Sequence, residues 1–157
     1  MKFSSILEKK IQNKFLNNNY YIFNIRNKSN LNIIKKRIIK FSRKWLKQKS
    51  ISVKSVNYFL DNLHDYIEPK KLNEFRMFLY NEINNSKDFQ KIYYNLGKEY
   101  IDVLCGNELV MQRKCNLSIQ LPKDDSSLLP LHADVWVGDS EYELDFWLPL
   151  VNVYKPK

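Results

Sequence analysis

The chain has 157 residues, of which 44% are apolar and 14% aromatic, and this is enough for one domain with its own core. No run of about 18 apolar residues is present, and the N-terminus carries charge before any signal-like apolar stretch, which excludes a conventional membrane-spanning helix and argues against an export signal. Cys105 and Cys115 lack zinc-site spacing, so we expect a cytoplasmic protein with free thiols and no membrane contact.

The charge of the chain is unevenly distributed. Residues 1–100 contain 21 Lys and Arg and 8 Asp and Glu, whereas residues 101–157 contain 5 and 9. A basic half can suit nucleic acid, but Lys, Asn and Ile are enriched together, and this broad bias indicates a solvated surface. We therefore predict no nucleic-acid partner, and the acidic last third suits a cation better than a phosphate group.

Helical spacing of apolar residues predicts five helices, over 3–16, 30–48, 56–67, 70–83 and 89–104. Between the first two, residues 20–25 are aromatic and β-branched, which predicts a short strand. His64 lies in the third helix with no second ligand one turn further on, so we expect a structural or surface role for it.

The pattern changes after residue 107. Residues 111–121 alternate, with Cys115 and Leu117 on one face and Asn116 and Gln120 on the other. Residues 129–136 and 142–148 are also predicted as strands, separated by a loop at 122–127 and a turn at 137–140. Helices followed by antiparallel strands predict an α+β fold, with the N-terminal helices packed on a β-sandwich or jelly roll.

The candidate metal ligands are His132 and Asp134. On a strand, residues two apart project to the same face, so an imidazole nitrogen and a carboxylate oxygen would lie side by side. These are two of the three protein ligands of a 2-His-1-carboxylate iron site. A structural His beside a surface Asp is the alternative for this tripeptide alone. Trp136 falls on the same side of a regular strand, where it either walls the site or packs as an ordinary aromatic.

Several stretches resemble one protein family. They are MQRKCNLSIQLP at 111–122, LPLHADVW at 129–136, GDS at 138–140 and WLPL at 147–150. They are similar to the phytanoyl-CoA-dioxygenase-like Fe(II)/2-oxoglutarate oxygenases, and in particular to a branch found in bacterial carbohydrate-biosynthesis clusters.

The resemblance implies a double-stranded β-helix with Fe(II) bound by His132, Asp134 and a later His. It also implies 2-oxoglutarate as co-substrate, and hydroxylation of a small carbohydrate-related molecule. The exposed polar face with Asn116 and Gln120 is then a candidate lining of the co-substrate pocket, together with Trp136; a solvated sheet face is the alternative.

The sequence departs from this family in two ways. No His follows His132 and no Arg follows Arg113, so the third ligand and the usual co-substrate anchor are missing. We therefore expect residues 1–157 to be a single, incomplete oxygenase domain, helical over 1–107 and holding the first β-helix strands over 108–157. Such a piece would be inactive alone. The alternative is a non-catalytic interaction remnant that needs a partner chain, and unpaired strand edges predict self-association or a complementing C-terminal chain.

Overall fold

The computed structural model of the chain describes residues 4–47, 56–106, 108–125 and 130–153. Its α-helices, in chain order, are α1 (Ile6–Asn18), α2 (Lys28–Leu46), α3 (Val56–Asp61), α4 (Leu72–Asn84) and α5 (Phe89–Cys105). Short 3₁₀ turns follow α3 (Leu63–Asp65), precede α4 (Pro69–Lys71) and occur near the end of the chain (Asp134–Val137). In the part of the chain that the structure describes, no helix is long and apolar enough to cross a membrane.

Four of the five predicted helices are found close to their predicted bounds, and residues 3 and 48 of these predictions lie outside the described residues. Ordinary capping chemistry marks the starts of α1 and α2. Ser5 and Glu8 form a reciprocal capping box at the start of α1. The side chain of Asn27 accepts a hydrogen bond from the backbone N–H of Asn30 at the start of α2. The predicted helix over 56–67 is shorter than expected: α3 ends at Asp61, where the Asn62 side-chain amide bonds the carbonyl of Tyr58 and the chain tightens into a 3₁₀ turn.

The core lies where α2 packs against α3, α4 and α5. Phe59 from α3 and Phe75 from α4 are completely buried, and the ring of Trp45 meets Phe75 edge-on, with 5.2 Å between ring centroids. The helices α2 to α5 contribute their apolar stripes to this core, as the helical spacing predicts. The buried aliphatic side chains around the two phenylalanines include Ile34, Ile38, Ile39, Ile67, Leu72, Leu79 and Ile83.

The predicted jelly roll is wrong: the described residues contain no β-strand. Segments 20–25, 111–121 and 143–148 are neither helical nor paired in a backbone ladder within the described ranges, and Tyr142 lies in a turn. The α+β class and the partial double-stranded β-helix are therefore replaced by a helical layer that carries extended segments. Alternation was misleading for a physical reason. It reports that one side of an extended segment meets an apolar surface, and that surface can be a helix layer as well as a second sheet.

The alternation itself persists in the burial of residues 111–121. Cys115 and Leu121 are buried and Leu117 and Ile119 are half-buried, whereas the intervening residues are exposed. The same alternation continues along 143–150, where the inward side chains are Leu144, Phe146, Leu148 and Leu150.

Side chains from α4 and α5 take the place of a neighbouring strand. Asn84 forms a two-point pair with the backbone of Cys115: the Cys115 N–H donates to its Oδ1 at 2.7 Å, and its Nδ2 donates to the Cys115 carbonyl at 3.0 Å. Arg76 donates to the carbonyl of Ile119, and Gln90 donates to that of Gln112 at 2.5 Å. These bonds satisfy backbone groups that would otherwise lack partners at the helix surface.

An aromatic cluster joins segment 20–25 to α5 and to segment 142–148. Its members are Tyr21, Phe23, Tyr93, Tyr100 and Phe146. Phe23 stacks on Tyr100 with 3.9 Å between centroids and lies 5.8 Å from Phe146, and Tyr93 is 4.9 Å from Phe146. The Tyr93 hydroxyl also donates to the Phe146 carbonyl. Burial raises the pKa of Tyr93 far above its ordinary value, with smaller contributions from Cys115 and Asp145. The cluster places segment 20–25 beside segment 142–148.

Phe146 reaches α5 at Gly97, which has no side chain to keep the ring away. A Cβ atom at position 97 would lie 3.1 Å from the ring, closer than ordinary van der Waals contact. The absence of a side chain at Gly97 therefore lets the Phe146 ring pack directly against α5.

Candidate metal-binding site

His132 and Asp134 lie on a short irregular segment. Ala133 between them is extended, with φ −122° and ψ 136°, and the chain then turns into the 3₁₀ turn Asp134–Val137. The N–H of Trp136 donates to the carbonyl of Ala133 at 2.9 Å, and Gly138 ends the turn with φ 103°, a conformation that favours glycine. The predicted strand over 129–136 is thus wrong across 130–136, and residue 129 lies outside the described residues.

The structure nevertheless brings the two candidate ligands together. The Nε2 atom of His132 is 3.6 Å from Oδ1 of Asp134, and both side chains are about half exposed. As on a strand, side chains two residues apart project to the same side here, because Ala133 between them is extended.

The other ring nitrogen of His132 has a backbone partner. Nδ1 lies 2.7 Å from the carbonyl oxygen of Pro130. A carbonyl oxygen only accepts, so Nδ1 carries the hydrogen, and Nε2 presents either a lone pair or a proton to Asp134. A lone pair next to a carboxylate is the arrangement that binds a cation, whereas a protonated ring gives an ion pair. Backbone anchoring of the distal nitrogen is also how metal-binding imidazoles are commonly oriented.

The donor chemistry fits part of a metal site. Two ligands that each lie about 2.0–2.2 Å from one ion, at a right angle, are about 3 Å apart. The separation between Nε2 and Oδ1 is close to this value, so a small side-chain rotation lets both atoms reach one ion. Within the described ranges, no group of three or more His, Cys, Asp or Glu side chains is placed to hold a metal. His132 and Asp134 can therefore offer two donor atoms to a cation, and no third side chain of these types joins them among the described residues.

The surroundings of the pair are acidic. Residues 124–154 contain seven Asp and Glu and no Lys or Arg. The pKa of the Glu143 carboxyl is raised, first by the charge of Asp139, then by burial and by the charges of Asp145 and Asp134. Repulsion between these carboxylates means that a cation bound here lowers the electrostatic energy of the segment.

The residues predicted to bind 2-oxoglutarate are all exposed, and their role stays a prediction. Asn116 and Gln120 are exposed on the outer side of segment 111–121. Trp136 is exposed in the 3₁₀ turn. Its expected position beside His132 and Asp134 depended on a regular strand, and a 3₁₀ turn rotates successive side chains by about a third of a turn instead.

His64 also lies beside a carboxylate. It is in the turn Leu63–Asp65, with Nε2 3.5 Å from Oδ1 of Asp65. This separation is close to that of the His132 pair, but among the described hydrogen bonds only the His132 ring is anchored through Nδ1 to a backbone carbonyl. The structural or surface role of His64 stays a prediction, and its pair with Asp65 is a matched control for metal binding.

A groove of about 350 Å³ lies between the start of α2 and the middle of α5. Its charged side chains pair with one another: Arg26 bonds Glu99 at 3.2 Å, and Lys98 bonds Asp102. Because these charges are already paired, the groove offers a ligand little electrostatic attraction, and it does not contain the predicted site residues.

No family model, no curated protein and no solved structure matches the chain.

Proposed function

We propose that the chain contributes two protein ligands, His132 and Asp134, to the iron site of an Fe(II)/2-oxoglutarate-dependent dioxygenase that hydroxylates a small carbohydrate-related molecule. The observation that carries the proposal is the arrangement of the pair: Nδ1 of His132 is held by the Pro130 carbonyl, and Nε2 faces Oδ1 of Asp134 at 3.6 Å. The reaction and the substrate class come from the resemblance of residues 111–150 to that family.

Each residue has a defined task in this proposal. The Pro130 carbonyl fixes the ring orientation and tautomer of His132, Nε2 supplies a neutral nitrogen donor, and Asp134 supplies a negative oxygen donor. Bound iron and 2-oxoglutarate together supply the oxygen activation that the chain's own side chains lack. Residues 133–157 contain no His to act as the remaining ligand, so we expect no turnover by residues 1–157 alone. Two free thiols suit the reducing cytoplasm that we propose as the setting.

An anaerobic Co(II) titration of the isolated chain tests this proposal. We expect weak binding by the wild type, because two donors converge in an acidic segment. His132→Ala removes the nitrogen donor and Asp134→Ala removes the charge, so each substitution should weaken binding by about tenfold or more. Isothermal calorimetry and the visible absorption of bound Co(II) give two independent readouts.

His64→Ala is the matched control, because it removes an imidazole that also lies beside a carboxylate, in this case that of Asp65 at 3.5 Å. Binding by this variant should equal that of the wild type. Equal Co(II) affinity of wild type and His132→Ala would contradict the metal site and leave a structural His132–Asp134 pair.

A second candidate function is favoured by the exposed side chains around the pair. Trp136, Tyr142 and Trp147 are large, aromatic and exposed. Exposed aromatic side chains close together in the sequence are typical of surfaces that bind another protein. In this alternative, the chain is a non-catalytic interaction module that functions by binding a partner chain.

A further inference from the structure

The last segment of the chain carries a surface that is both acidic and aromatic. We define the acidic–aromatic surface by Trp136, Glu141, Tyr142, Glu143 and Trp147. Trp136 is 72% exposed and Tyr142 is 88% exposed. Among the described residues, no ion pair joins these two glutamates to a Lys or Arg. Contact with a cationic and partly apolar surface would therefore bury the exposed aromatic rings and pair the two carboxylates with cations.

The first segment of the chain has the complementary chemistry. We define the basic–apolar surface by Ile6, Leu7, Lys10 and Lys14, which share one side of α1. Ile6 is 85% exposed and Leu7 is 58% exposed, and both lysines are exposed as well. Among the described residues, no ion pair joins Lys10 or Lys14 to an acidic side chain. The inward side of α1 is already used, because Ile11 is buried and Gln12 bonds the Val103 carbonyl of α5.

The two surfaces belong to neighbouring parts of one molecule. Segment 20–25 follows α1 in the chain. The ring of its Phe23 stacks on that of Phe146, with 5.8 Å between ring centroids, and Phe146 precedes Trp147 in the chain. Two complementary patches that sit close together on one molecule can be satisfied by a second copy related by a two-fold axis, since each copy then offers both patches.

We propose that the chain forms a two-fold symmetric dimer in which the acidic–aromatic surface of each copy lies on the basic–apolar surface of the other. The dimer is formed by side chains other than those of His132 and Asp134, and a test in metal-free buffer distinguishes its failure from failure of the metal site. It assigns a single partner, a second copy of this chain, to the exposed aromatic side chains.

Charge reversal on each surface tests the dimer. Sedimentation equilibrium in metal-free buffer should show a wild-type dimer whose dissociation constant rises with salt. Glu141→Lys with Glu143→Lys, and separately Lys10→Glu with Lys14→Glu, should each raise the dissociation constant by more than about tenfold, because like charges then face each other. Mixing the two variants should restore association, since both contacts of the mixed dimer join opposite charges.

The matched control is Glu68→Lys with Glu74→Lys, which makes the same change in net charge at exposed positions outside both surfaces. This variant should associate like the wild type. Circular dichroism checks that every variant keeps its helices. A wild type that is monomeric at all concentrations, or variant mixtures that stay monomeric, would overturn the dimer, as would wild-type affinity in both charge-reversal variants.

Discussion

Replacing Phe75 by alanine is expected to lower the free energy of unfolding by about 3–5 kcal/mol. Phe75 is completely buried and packs against the edge of Trp45, between α2 and α4. The substitution removes the apolar contacts of the ring and leaves a cavity that the surrounding helices cannot fill. Urea denaturation followed by circular dichroism at the helical band measures the loss.

The matched control lies on the same helix. Met77→Ala removes a long apolar side chain from the outer side of α4, where Met77 is exposed, and should change stability by no more than about 0.5 kcal/mol. If the two substitutions had equal effects, the packing of α2 against α4 described here would be incorrect.

Replacing Asn84 by alanine is expected to lower the free energy of unfolding by about 2–3 kcal/mol. The substitution removes both hydrogen bonds to the backbone of Cys115, as well as the bond from Nδ2 to the carbonyl of Tyr80 at 2.8 Å. It leaves the N–H and carbonyl of a buried residue without these partners, and such groups are costly to bury unpaired. Thermal and urea denaturation both measure the change.

Asn81→Ala is the corresponding control, because Asn81 is exposed on the same helix. It should be nearly neutral and keep the wild-type urea midpoint. A neutral Asn84→Ala would mean that segment 111–121 is held by its apolar side chains alone and that the two-point pair contributes little.

The helices could be predicted from the sequence because local rules determine them. In α2 the apolar residues Ile34 and Ile38 recur one turn apart, which is enough to predict the helix, although its cap is Asn27, whose side chain accepts from the N–H of Asn30. These features act within a few residues of one another, so no knowledge of the rest of the molecule is needed.

For the extended segments, the sequence predicts which side chains face inward but not which groups bond the backbone. The alternation around Cys115 and Leu117 correctly indicates which side chains face inward. It cannot indicate that Asn84 and Arg76, more than thirty residues earlier, bond the backbone in place of a neighbouring strand. An asparagine just after a predicted helix carries no signal for such a bond, because most asparagines are solvated.

The candidate site could also be predicted only in part. The sequence predicts that His132 and Asp134 project together, and the extended residue between them makes this so. The contact between His132 and the Pro130 carbonyl depends on the irregular backbone of the segment, which no periodic pattern specifies. The placement of Trp136 was tied to a regular strand, and it changed once the chain entered a 3₁₀ turn.

Amide hydrogen exchange along 111–121, read residue by residue by NMR, tests whether helix side chains bond the backbone of this segment in place of a neighbouring strand. The Cys115 N–H bonds Asn84, so it should exchange slowly, and Asn84→Ala should abolish this protection. The amides of Asn116, Ser118 and Gln120 have no backbone partner among the described residues and should exchange fast. Protection of every second amide along the whole segment, unchanged in Asn84→Ala, would indicate a paired strand and contradict the account.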